Sequence, residues 1–149
     1  MNIELILGII NIVLIATTPL VFAGIGELVT EKTGVLNLGV EGMMLVGAVT
    51  AFVTLVITGS YFLAFLFSIF SGILMSGLFA LLVLNLLANQ VATGLALTIF
   101  GIGLSSMIGK NYIGTPIQGL NPYFFIILSF VIVFATSYFF YKTKMGLIF

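Results

Sequence analysis

Residues 27–42 read ELVTEKTGVLNLGVEG and hold four of the eight charged side chains in a chain of 149: Glu27, Glu31, Lys32 and Glu41. Long apolar runs lie on both sides. The chain is 62% hydrophobic and 5% charged, against roughly 25% charged for an ordinary soluble domain, so no water-facing globular surface can be assembled from it. It reads as an integral membrane protein. In lipid, each polar residue needs a partner or a water-filled neighbour, which makes this stretch the first place to look for function.

Working outward, the runs 5–26, 42–58, 61–87, 95–109 and 123–141 are apolar, and a helix needs about 20 such residues to cross a bilayer core. The expected fold is an all-α, polytopic transmembrane bundle of five spans. Pro19 falls inside the first run after Thr17 and Thr18, where it removes an amide donor and favours a kink. The second and fourth runs are short. They extend back toward Asn37 and Val91, and they are the candidates for breaking or re-entering. The 61–87 run is the longest by this count and must tilt or protrude. Residues 110–122, KNYIGTPIQGLNP, carry loop chemistry.

Lys142 and Lys144 supply half of the positive charge directly behind the last span, which puts that end in the cytoplasm by the positive-inside tendency. Five crossings then place the N-terminus and the 110–122 loop outside. The first residues carry Glu4 where a signal peptide would be basic, so the first run reads as a retained span.

Composition also removes chemistry. The chain has no Cys, His, Asp, Arg or Trp, which excludes disulfides, His/Cys metal sites and His-based general bases. No cofactor is expected, and the zero net charge without a basic cluster argues against nucleic acid. Small residues recur every fourth position along two spans: Ser68, Gly72, Ser76 and Ala80, then Gly101, Ser105 and Gly109. Such grooves suit close helix packing, and a solute path would use the same residues.

Two polar clusters are candidate substrate-path residues. In the first, Asn37 and Glu41 stand four apart between glycines, a spacing that shares a helix face. One reading makes Asn37 a cap and Glu41 a first-turn acid facing the helix dipole. The other breaks the backbone beside a cavity, where both side chains meet a polar solute. Glu27, Glu31 and Lys32 read as a solvated turn. In the second cluster, Asn85, Asn89 and Thr93 lie on one helical stripe with Gln90 beside it. Uncharged amides and hydroxyls suit a neutral, hydroxylated solute, and a capping turn is the plainer alternative.

At these clusters the chain resembles a known family. Residues 19–27 (PLVFAGIGE), 31–44 (EKTGVLNLGVEGMM) and 89–94 (NQVATG) closely resemble the permease subunits of ATP-binding-cassette importers for nucleosides and simple sugars, within the wider branched-chain amino acid and ribose permease group. That resemblance implies a multi-pass subunit of the bacterial plasma membrane, with no catalysis of its own. Its implied partners are a second permease subunit, a cytoplasmic ATP-binding-cassette ATPase, an extracytoplasmic solute-binding lipoprotein and membrane lipid.

Family members continue past a segment like residues 142–147 into a coupling element of the form Arg-Ala-x-Gly-Glu-Asn-x-x-Ala-Ala, whereas this sequence stops at Phe149. The expectation is therefore one partial permease domain over 1–149, an N-terminal half without its coupling region. Two other readings stand beside it: an ATP-independent channel or carrier in which Glu41 responds to protons or ions, and a non-transporting fragment that assembles through its small-residue grooves.

Overall fold

The computed structural model describes residues 3–143 and is all-α, with no strand among the described residues. Five helices form: α1 (Ile3–Lys32), α2 (Val40–Thr58), α3 (Tyr61–Ala80), α4 (Gln90–Gly109) and α5 (Pro122–Lys142). A π-helical turn, Leu81–Asn85, prolongs α3, and a 3₁₀ turn, Lys110–Tyr112, prolongs α4. All five spans are long and apolar enough to cross a membrane, which makes this a multi-pass membrane protein. Lys144 lies outside the described residues.

Three expectations change. Glu27, Glu31 and Lys32 do not form a turn: α1 runs through them as a helix of 30 residues, longer than any other. Glu and Lys are good helix formers, and the Thr30 hydroxyl donates back to the Glu27 carbonyl at 2.8 Å. Termination waits for Gly34, whose φ of +83° suits a residue without Cβ. Secondly, α2 and α4 are each continuous. The irregular backbone sits just before them, at residues 33–39 and 86–89. Thirdly, Pro122 is not loop but the first residue of α5, where its missing N–H costs nothing. The Asn121 side chain accepts the Tyr123 amide at 3.0 Å to cap that helix.

The chain divides into two compact units. One contains the described residues up to Gly34 and from Gly119 onward, so it pairs α1 with α5. Thr18 and Ser129 are buried here, and the hydroxyls of Thr17 and Thr18 both donate at 2.8 Å to carbonyls four residues back, keeping polar atoms satisfied within the helix around Pro19. The C-terminal turns meet where the Lys32 ammonium lies 5.7 Å from the centre of the Phe140 ring.

The second unit, Val35–Gln118, holds α2, α3 and α4. Only Gly59 and Ser60 separate α2 from α3; Gly59, at φ +66°, donates to the Leu55 carbonyl and turns the chain. The tight turn sets α2 beside α3, and Val46, Met75, Phe79, Val83 and Leu97 form the core. Interhelical hydrogen bonds add to it. Ser68 Oγ donates to the Gly47 carbonyl at 2.9 Å, and the hydroxyls of Thr50 and Ser71 are 2.8 Å apart. Without a hydrophobic drive between helices in lipid, such bonds and close packing are what hold α2 to α3. Past α3 the π turn closes through the Leu86 amide on the Leu81 carbonyl, and Leu87 turns left-handed at φ 53°.

Candidate functional site

In the second unit, residues 35–39 lie against the first turns of α4. Residues 35–37 are not helical, so Asn37 and Glu41 do not share a helix face, contrary to what their spacing suggests. The cause is local. The Asn37 Oδ1 accepts the Gly39 amide at 2.9 Å, a turn that competes with helix, and Gly39 rather than Asn37 is the N-cap of α2. Asn37 is buried, its Nδ2 3.7 Å from the Met43 sulfur, while Glu41 is exposed in the first turn of α2.

What secures this segment is α4. Gln90 Oε1 accepts the Leu36 amide at 2.8 Å, and the Thr98 hydroxyl donates to the Leu38 carbonyl at 2.9 Å. Between them, a Cβ placed on Gly94 would stand 2.8 Å from the Leu38 nitrogen. One turn on, α2 itself closes onto α4. A Cβ at Gly42 would lie 2.5 Å from the Leu97 carbonyl oxygen, and one at Gly101 would lie 2.5 Å from that of Gly42. Gly94, Thr98 and Gly101 thus form a groove filled by another segment's backbone. At Gly94 and Gly101 even a Cβ would collide with that backbone.

The second cluster also departs from one helical stripe. Asn85 ends the π turn, the chain breaks, and Asn89 becomes the N-cap of α4, its Oδ1 accepting the Ala92 amide at 3.0 Å. Asn89 and Thr93 come together along a groove of about 430 Å³, also lined by Leu82, Ala92, Leu97 and Phe100. Gln90, occupied with Leu36, does not line it, nor do Asn37 and Glu41. The Thr93 hydroxyl has no hydrogen-bond partner among the described residues, although most helical threonines here donate to a preceding carbonyl. The Asn89 Nδ2 is likewise uncommitted among the described residues. Two polar groups therefore face an otherwise apolar, uncharged groove.

The packing residues distribute unevenly. Ser68 bonds across to α2, but a Cβ at Gly72 would meet nothing within 4 Å, Ser76 is exposed and donates within its own helix, and Ala80 is half-buried. Along α4, Gly101 is buried on Gly42, Ser105 is half-buried, and a Cβ at Gly109 would touch Val49 at 3.4 Å. Gly94 and Thr98 were not singled out from the sequence as packing residues. Their signal was there in the extension of the Gly101 stripe back by one and two turns. No group of His, Cys, Asp or Glu able to hold a metal occurs among the described residues.

Residues 9–149 match the family described as branched-chain amino acid transport system / permease component. The chain is 45% identical over 112 residues to a protein of Haloferax volcanii provisionally named a glucose ABC transporter permease, covering 75% of this chain and 34% of that one. It is 35% identical over 97 residues to a nucleoside ABC transporter permease of Lactococcus lactis subsp. cremoris, covering 61% and 31%. Against a guanosine ABC transporter permease of Bacillus subtilis it is 27% identical over 179 aligned positions, covering 99% and 56%. The chain thus spans between 31% and 56% of the length of these curated relatives. No solved structure matches it.

Proposed function

We propose, from the premise that this chain belongs to the branched-chain amino acid transport system permease family, that it forms part of the permease of an ATP-driven importer for nucleosides or simple sugars. Residues 1–149 contribute one transmembrane permease domain in a bacterial plasma membrane. The partners in this reading are a second permease subunit, a cytoplasmic ATPase that performs the hydrolysis, and an extracytoplasmic solute-binding lipoprotein. The permease itself catalyses no reaction.

The observation that carries the solute class is the Asn89–Thr93 groove. An uncharged hydroxyl and an amide N–H, both uncommitted, stand beside Phe100 and Leu97. Hydroxyls of a sugar or ribose can pair with those groups while a ring face lies on apolar surface. Each neutral hydrogen bond is worth about 1 kcal/mol net, enough to orient a solute and weak enough to release it. The names of the relatives, for glucose, nucleosides and guanosine, agree with this class.

In the assembled importer, Thr93→Val keeps the side chain's shape and removes its hydroxyl. Asn89→Asp keeps the capping oxygen and removes the N–H donor. Each is expected to raise the KM for uptake about fivefold at unchanged membrane level, as loss of ~1 kcal/mol requires. Uptake unaltered by both substitutions would sink the groove's role, and uptake that persists through ATP depletion would favour an ATP-independent carrier.

A further inference from the structure

The unit formed by α1 and α5 carries a second groove, of about 390 Å³, whose walls include Val21, Ile25 and Leu28 of α1 and Val133 and Phe140 of α5, with Lys32 at one end. Its lining is mostly apolar, broken by the hydroxyls of Thr136 and Ser137 on α5, and cationic at its mouth. From Val21 to Lys32 is eleven residues, or ~16 Å at 1.5 Å per residue. A bilayer core is about 30 Å thick, so the groove reaches about as deep as one leaflet.

The mouth is marked as a membrane interface. Lys32 ends α1, Lys142 ends α5, and Tyr141 beside it lines the groove. Phe140 is buried, and the Lys32 ammonium lies 5.7 Å from its ring centre, within cation–π reach at the groove's mouth. Lys32 makes no ion pair among the described residues. Glu27 and Glu31 are nearby on α1, but neither lines the groove.

We infer that this groove seats one anionic phospholipid, its phosphate on the Lys32 ammonium and one acyl chain along the α1–α5 wall toward the bilayer centre. A zwitterionic lipid fills the same apolar length, but its own cation competes with Lys32 for the phosphate. The plainer role of Lys32, countering the negative end of the α1 dipole, makes no distinction between lipid headgroups.

The test is native mass spectrometry of the full chain with phosphatidylglycerol or phosphatidylcholine of identical acyl chains. Wild type should retain phosphatidylglycerol about fivefold better, the ratio that ~1 kcal/mol for one lysine at an anionic surface predicts. Lys32→Gln should bring the ratio close to one, Lys32→Arg should preserve it, and Leu28→Trp, which fills the groove, should lower retention of both lipids. Equal retention by wild type, or a ratio unmoved by Lys32→Gln, overturns the inference. A photo-crosslinker at Ile25 gives a reading independent of variant stability. Capture of lipid supports the seat, whereas capture of a protein chain in intact membranes shows the groove belongs to a helix instead.

Discussion

Replacing Gly101 with alanine tests whether α2 and α4 truly meet backbone to backbone. The new Cβ would stand 2.5 Å from the Gly42 carbonyl oxygen, 2.6 Å from its Cα and 2.7 Å from its carbonyl carbon. All three are main-chain atoms inside a helix, so no rotamer change relieves the overlap. The helices must part by ~0.9 Å to reach ordinary contact, and overpacking of this kind costs up to ~3 kcal/mol. Alanine's better helix propensity returns ~1 kcal/mol. The net loss is then ~2 kcal/mol, about a 30-fold rise in the open population.

The chain has no cysteine, so a single Val46→Cys, at a site 4% exposed beside this contact, reports opening through its maleimide labelling rate. Gly103→Ala on the same helix, where a Cβ meets nothing within 4 Å, is the control and should label no faster than its parent. Labelling of the Gly101→Ala protein at or below the control's rate would refute the close contact.

Two further outcomes follow from the hydrogen bonds of the same unit. Gln90→Leu removes the acceptor of the Leu36 amide and should speed hydrogen exchange at that amide about fivefold, the effect of ~1 kcal/mol; exchange left unchanged would mean the bond is absent. For the Thr50–Ser71 pair, a double-mutant cycle with Thr50→Val and Ser71→Ala should give a coupling of about 0.6 kcal/mol and below ~1.7, typical for helices in lipid, and strict additivity would deny the contact.

The five spans were legible because hydropathy alone reports them, and lipid leaves the backbone no spanning alternative to helix in a chain this apolar. The end of α1 was misread for a related reason. Glu31 and Lys32 signal water, but water does not forbid helix, and Gly34 rather than charge stops it. The four-residue interval between Asn37 and Glu41 looked helical because spacing is a local property. Its resolution is not local: the amide of Leu36 finds its acceptor on Gln90, 54 residues later. Asn89 as a cap could be read in place, whereas the idle hydroxyl of Thr93 could not, since hydrogen-bond accounting needs coordinates. Of the sequence candidates, Asn37, Glu41 and Gln90 lie off the groove, and only Asn89 and Thr93 line it.

The docking of residues 35–39 on α4 has a consequence for how the protein tolerates change. What α4 grips is the Leu36 N–H and the Leu38 C=O, groups that nineteen of the twenty amino acids supply at the first position and all twenty at the second. The side chains of Leu36 and Leu38 are 36% and 41% exposed, turned away from that grip. Saturation mutagenesis should therefore find a lopsided pair of surfaces. One is permissive, where most apolar residues serve at Leu36 and Leu38 and only proline at Leu36 is forbidden outright; the other, at Gly94 and Gly101, has almost no substitute.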